Sequence, residues 1–306
     1  MITEKAYAKI NLGLDIVGRR DDGYHLVRML MQSIDLYDVI SMEPTEEQGI
    51  ILDDSSDIPM TENLIYKAAR LMYDIYGVRI GSGLRISYEK HIPMAAGMAG
   101  GSSDAAAVLR GMNRLFNLNL SNERIAELGV MIGADVPYCI YGGTALSEGI
   151  GEVLTQLPDL PETVILVAKP PIQVSTPEAY RDYDSLKAVP HPDIDEQVDA
   201  IYEYMTGISS VDRSQSDKAA ACISRIAASQ GNVLEFVTEP KHYQITELKQ
   251  CMTDSGALGA MMSGSGPTVF GIFTAMDKAE IAAERIRAAF GEEYFVKVTK
   301  TIGQTK

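Results

Sequence analysis

The sequence predicts an α+β fold in two domains. Extended patterns with alternating apolar positions fill residues 5–42, capped amphipathic helices follow, and the tail reads strand, helix, strand. With 306 residues, 46% of them hydrophobic, the chain is long enough for one large or two ordinary cores.

Residues 5–17 place Ile10, Leu12, Leu14 and Ile16 on one face, which predicts a strand with that face buried. Lys9, Asn11, Gly13 and Asp15 share the other face, which is either solvated or functional. A turn-rich loop, Arg19–His25, leads into a second extended stretch at 26–42, so a hairpin is the simplest account. Thr61 is placed to cap a helix to about Tyr76, with Leu64, Ala68, Leu71, Met72 and Ile75 as its apolar stripe and Gly77 as its stop. A strand over Leu84–Lys90 comes next.

Pro93–Arg110 (PMAAGMAGGSSDAAAVLR) then passes through a glycine-rich turn into an alanine-rich helix ending near Leu115. Ser102, Ser103 and Asp104 are good N-cap residues for it. Ser121 caps a further helix that ends before Gly133, followed by the turn GADVP at 133–137. Pro158 and Pro161 mark the expected boundary, giving domains at 1–157 and 158–306.

In the second half Thr163–Ala168 reads as a buried strand, and Ser175–Tyr180 as a turn into a helix with Pro177 in its first turn. Residues 181–218 are polar and acid-leaning, and predict a mobile connection with one helix around Glu196–Met205. A second glycine cluster, Met262–Thr268, precedes a helix over Lys278–Phe290 and a strand over Tyr294–Val298. Taken alone, that cluster is a tight turn between a helix and a strand.

The net charge of −15 argues against nucleic-acid or membrane-surface binding by bulk attraction. It leaves room for an anionic small molecule held locally. Cys139, Cys222 and Cys251 have no metal-ligand spacing to the four histidines, so buried free thiols in a reducing compartment are expected. No signal-peptide pattern opens the chain, and no apolar run approaches the ~18 residues of a membrane span. A cytoplasmic protein with no membrane partner and no evident obligate protein partner is expected.

A glycine turn running into a helix N-terminus is a ready anion site, or else an ordinary strand-to-helix connection. It lacks the Gly-Lys-Ser/Thr ending of a P-loop and does not fit G-x-G-x-x-G. Asp135 in the GADVP turn is either a catalytic carboxylate or a local Asx turn. Lys9 is either a functional cation or a snorkelling surface lysine. Phosphoryl transfer needs an anion cradle, a carboxylate to position or deprotonate the acceptor hydroxyl, and a cation near the developing charge. The loop, Asp135 and Lys9 offer one of each.

The motifs AKINL (8–12), DGYH (22–25), PMAAGMAGGSSDAA (93–106), GADVP (133–137) and MSGSGPTVF (262–270) together resemble the GHMP kinases and span nearly the whole chain. Within that family the chain looks most like the members that phosphorylate a cytidine-diphosphate-linked methylerythritol. The resemblance implies an N-terminal domain like the second domain of ribosomal protein S5, a ferredoxin-like C-terminal domain and an active site between them. It implies ATP phosphates on Pro93, Met94, Ala95, Ala96, Gly97, Met98, Ala99, Gly100, Gly101, Ser102 and Ser103, with Asn63, Leu64, Lys90 and Met94 bordering the adenine. Asp135 matches the family's catalytic base, Lys9 the lysine paired with it and Asn11 a contact to the methylerythritol. Tyr24 and Tyr180 are implied to sandwich the cytosine while His25 reads its edge. Family members commonly carry glycine where Ala95, Ala96 and Ala99 stand, so negative φ is expected at all three. Mg²⁺ is implied to arrive with ATP, and no metal-binding residue is assigned. Homoserine or mevalonate kinase, a non-catalytic nucleotide-binding module and an S5-like RNA-binding role are the other readings; the charge disfavours the last.

Overall fold

The computed structural model describes residues 1–53, 58–207 and 214–305. Its first sheet grows from an antiparallel hairpin of two long strands, β1 (Ile2–Arg19) and β2 (His25–Thr45), registered from Ile2↔Met42 to Arg19↔His25. The other edge of β2 pairs with β4 (Gly83–Glu89) near its end and with β5 (Thr144–Glu148) near its start. The parallel strand β3 (Ile50–Asp53) joins β4, and β6 (Val153–Gln156) joins β5. The chain then crosses to a second sheet of four strands, ordered β10 (Phe295–Lys300), β7 (Val164–Lys169), β9 (Val269–Phe273) and β8 (Gly259–Met262).

Helices α1 (Leu64–Ile80) and α2 (Gly100–Leu115) cover the first sheet. The run Ala105–Val108 is fully buried, and its small side chains let α2 lie close to β1 and β2. At Gly111 an added Cβ would come within 2.0 Å of Met42 Cε. Two short helices, α3 (Asn122–Val130) and α4 (Val136–Tyr141), complete this half, and Ser121 caps α3 as expected. In the second half α5 (Thr176–Tyr183) starts at its Ser175 cap, and α6 (Ile194–Thr206) packs on α7 (Gln215–Ala228). After the single turn α8 (Glu235–Thr238), helices α9 (Tyr243–Asp254) and α10 (Met276–Phe290) lie against the second sheet.

The two halves share a core. Register shifts at Tyr7/Lys9 and Asn11/Gly13 bracket the stretch between them in β1. Within it Ala8, Ile10 and Leu12 join Ile165, Val167, Phe270 and Ile272 of the second sheet, with α6 and α7 beside them. Outside it, Ala6, Leu14 and Ile16 join the core that holds α1 and α2. A bulge changes which face a side chain takes, and here it lets one strand serve two cores. The opposite face of the bulged stretch is therefore enclosed, not solvated: Lys9 is 4% exposed and Asn11 0%; Asp15, expected on the same face, lies past the second shift and is buried too.

Several expectations shift. Helix α1 begins at Leu64, where Asn63 rather than Thr61 caps it by accepting from Ile65 N–H at 2.9 Å. It also runs through Gly77 to Ile80 and stops at Gly81, whose φ of 68° suits a C-cap. The segment at 181–218 holds the expected α6 but also the start of α7, and its residues 208–213 lie outside the described residues. The buried stripe Cys222, Ile223, Ile226 and Ala227 of α7 falls beyond that polar stretch, and α7 to α9 pass unnoticed in the sequence. The second glycine cluster joins two strands, β8 and β9, rather than a helix and a strand. Among the described residues no helix is long and apolar enough to cross a membrane.

Gly77 and Gly81 have open space where a Cβ would sit, so backbone preference alone decides the effect of adding one. Gly77→Ala is expected to stabilise the fold by roughly 0.5–1 kcal/mol, because glycine is unfavourable inside a helix. Gly81→Ala is expected to destabilise it by about 1 kcal/mol through its left-handed φ. Urea unfolding midpoints that move in the same direction would refute this assignment of the helix end.

Candidate active site

Between β4 and α2 the chain makes a loop in which Ala95, Gly97 and Ala99 have φ of 48°, 71° and 56°. Negative φ at the alanines therefore holds only for Ala96. Each left-handed alanine costs about 1 kcal/mol, so the loop needs anchoring from elsewhere. That anchoring comes from β1 and from the second glycine cluster. Lys9 N–H donates to Met98 O at 3.1 Å, and Lys9 Nζ donates to Gly97 O at 3.1 Å. Ser263 Oγ donates to the same Gly97 oxygen at 3.0 Å. A Cβ at Gly97 would lie 2.1 Å from Ser263 O, so only glycine allows the two loops to close on each other.

Ala99, not Ser102, Ser103 or Asp104, takes the N-cap position of α2, and no side chain caps the helix. The first-turn N–H groups of α2 have no acceptor within the helix. They border a cavity of about 410 Å³ lined by Pro93, Met94, Ala95, Ala96, Gly97, Ala99, Gly100, Gly101 and Ser102. Asn63, Leu64 and Lys90 line it too. The side chains of Met98 and Ser103 do not: Met98 is buried in the core shared by the two halves, and Ser103 Oγ donates to Tyr7 O at 2.6 Å. Ser103 N–H is also used, donating to Ala99 O.

Lys90 is held between two carboxylates. Its Nζ donates to Asp104 Oδ2 at 2.5 Å and to Asp38 Oδ2. Asp38 Oδ1 also accepts from His91 N–H and from Ile92 N–H at 2.8 Å, fixing the start of the loop. Burial opposes the charge on Lys90, but the two acids outweigh it and its pKa rises. For Asp104, burial is the main effect, and with Asp38 nearby its carboxyl is pushed up to about 7 despite Lys90.

A second cavity, about 790 Å³, is lined by Lys9, Asn11, Tyr24, His25, Asp135 and Tyr180 among others. Lys9 Nζ donates to Asn11 Oδ1 at 2.7 Å and stands 3.9 Å from Asp135 Oδ2. Asp135 occupies the N-cap position of α4, yet its side chain makes no capping bond and is 33% exposed. The Asx-turn reading therefore fails, and so does that of Lys9 as a snorkelling surface lysine. Tyr24 is 60% exposed, whereas Tyr180 packs on the His25 ring at 5.0 Å and 37°. Burial, with Asp135 adding to it, pushes the Tyr180 hydroxyl up to about 12. His25 Nε2 lies 2.6 Å from Asp184 Oδ1, while Asp184 Oδ2 pairs with Arg19 at 3.0 Å.

The two cavities share Ser102, Asp135 and Thr176 in their linings. Thr176 Oγ1 is 2.7 Å from Ser265 Oγ, which ties α5 to the second glycine cluster. A ligand in each cavity would thus meet the other beside the Asp135 carboxylate. Of the residues the sequence did not single out, Asp38 carried a signal: it is an acid on the inward face of β2, in step with Leu36 and Ile40. Ser263 was marked only as a member of the second glycine cluster, and Thr176 and Asp184 carried no signal, since their partners are distant in the chain.

Family models agree with the motif order. "GHMP kinases N terminal domain" matches residues 63–143, and "GHMP kinases C terminal" matches residues 211–294. A 4-diphosphocytidyl-2-C-methyl-D-erythritol kinase of Lachnospira eligens is 48% identical, over 97% of this chain and 97% of its own. The crystal structure of a 4-(cytidine 5'-diphospho)-2C-methyl-D-erythritol kinase superposes with a TM-score of 0.78 at 31% identity, covering 99% of this chain and 100% of that one. The homoserine kinase of Cytophaga hutchinsonii has a TM-score of 0.70 but only 18% identity, covering 99% and 96%, so it shares the fold.

The Asp104 carboxyl has a measurable signature. Its folded pKa is raised above the unfolded value, so the native state keeps a proton that the unfolded chain releases between about pH 4 and about pH 7. The associated stability is present below that window and is lost as pH rises through it. Asp104→Asn is expected to flatten the fall in unfolding free energy across this range. Parallel curves for the two proteins would show that Asp104 is not the group responsible.

Proposed function

The chain belongs to the GHMP kinase family, and from that premise we propose that it transfers the γ-phosphoryl group of ATP to the 2-hydroxyl of 4-diphosphocytidyl-2-C-methyl-D-erythritol. The observation that carries this reading is the meeting of two cavities at Asp135, with Lys9 Nζ at 3.9 Å. ATP binds in the smaller cavity, its adenine near Asn63, Leu64, Lys90 and Met94, and its phosphates against the loop and the first-turn amides of α2. The uncapped start of α2 suits such an anion. Lys90 serves this site as a brace for Asp38 and Asp104, because its ammonium is already held by both.

The acceptor occupies the larger cavity, with its methylerythritol hydroxyl at Asp135. Asp135 orients that hydroxyl and takes its proton as the new P–O bond forms, while the bond to the ADP oxygen breaks. Lys9, held by Asn11 Oδ1 and Gly97 O, keeps a positive charge beside the carboxylate. The transition state is loose, so placement matters more than base strength. The cytosine lies with Tyr24, His25 and Tyr180, which form the outer wall of the same cavity. Residues 1–157 supply the loop, Lys9 and Asp135, and residues 158–306 close the site with Tyr180 and Ser263.

Among the described residues no cluster of three or more His, Cys, Asp or Glu side chains is placed to hold a metal ion. Mg²⁺ is read here as arriving with ATP, and no residue is assigned to it. A freely diffusing substrate and donor fit a cytoplasmic enzyme. Homoserine kinase remains the alternative from fold alone, but nothing in homoserine calls for the tyrosine and histidine wall.

Asp135→Asn is expected to leave the melting curve in place and lower kcat by roughly a thousandfold, the scale of a lost acid–base group. ADP release is followed with the diphosphocytidyl compound and, in parallel, with homoserine. Near-normal kcat in Asp135→Asn would refute the mechanism, and preference for homoserine would refute the substrate.

A further inference from the structure

We propose that Asp184 is a positioning residue that selects cytosine over uracil by fixing the tautomer of His25, an inference that rests on the cytidine-linked acceptor proposed above. Asp184 stands at the end of α5 and His25 opens β2, 159 positions apart, yet His25 Nε2 and Asp184 Oδ1 are 2.6 Å from each other. A carboxylate only accepts, so Nε2 carries a proton, and in the neutral imidazole Nδ1 is then left as the acceptor. Arg19 Nη1 takes the other carboxylate oxygen at 3.0 Å, which offsets the charge beside the ring and holds Asp184 in place. Tyr180 lies against the imidazole at 5.0 Å, which restrains the ring from turning over. All four residues line the acceptor cavity.

An acceptor at Nδ1 matches the exocyclic amino group of cytosine. Uracil has a carbonyl oxygen at that position, as thymine does, and two facing acceptors leave both unsatisfied. Without Asp184 the ring can protonate on either nitrogen, and Nδ1–H would pair with the uracil oxygen instead. The carboxylate thus chooses the base without touching it.

Two measurements test this. In protein with ¹⁵N-labelled histidine at pH 8, couplings of the ring nitrogens should show His25 protonated on Nε2, and a mixture of tautomers in Asp184→Asn. The ratio of kcat/KM for cytidine-linked over uridine-linked substrate should fall roughly tenfold or more in Asp184→Asn. The loss should appear as a higher KM for the cytidine compound rather than a lower kcat. Asp184→Glu, which keeps the carboxylate, should recover part of the ratio. Because both substrates see the same folded enzyme, the ratio does not depend on how much of the variant folds. A wild-type His25 protonated on Nδ1, or an unchanged ratio in Asp184→Asn, would overturn this inference alone. Wild-type enzyme that turns over neither compound would overturn the functional reading and this inference with it.

Discussion

One backbone oxygen, that of Gly97, accepts from Lys9 Nζ at 3.1 Å and from Ser263 Oγ at 3.0 Å, and the arrangement of the site depends on it. A buried ammonium costs several kcal/mol unless its donors are paired. Lys9 meets that demand with Asn11 Oδ1, Gly97 O and the nearby Asp135. The same contacts hold a loop that contains two left-handed alanines, Ala95 and Ala99. Charge placement and loop shape are thus one constraint: moving Lys9 would release the loop, and releasing the loop would leave Lys9 unpaired.

The shared core explains why this constraint can be met with little play. Ala8, Ile10 and Leu12 flank Lys9 and Asn11 in β1 and are packed against the second sheet. The register shifts at Tyr7/Lys9 and Asn11/Gly13 turn those apolar residues toward one half of the molecule and the polar pair toward the cavity. Ser263 and Thr176 come from the second half, so the site is completed only where the halves meet. Closely packed interiors resist small displacements, which suits a reaction governed by placement.

Much of this was legible in the sequence where local rules apply. The hairpin followed from alternation in residues 5–42, α3 from its serine cap, and α5 from a turn with Pro177 in its first turn. Lys9, Asp135 and the two glycine clusters stood out as residue types, and family resemblance gave them an order. Their distances did not follow, because they depend on contacts across the whole chain. Helix α1 ran past Gly77 because burial of Ile80 beyond it and the left-handed cap at Gly81 override one unfavourable residue. Ser102 and Asp104 misled as caps because the left-handed Ala99, an improbable position for alanine, begins the helix. The Asp38–Lys90–Asp104 and Arg19–Asp184–His25 groups were hidden for the same reason as the distances.

In the proposed reaction the phosphoryl group passes directly between two ligands that meet at Asp135, with no phosphorylated side chain on the way. The most direct measurement is the configuration at phosphorus in product made from ATP chiral at its γ-phosphoryl group through oxygen isotopes. A single in-line displacement inverts that configuration, and inversion is the expected result. Net retention would mean two displacements through an enzyme-bound phosphate, and would contradict the account.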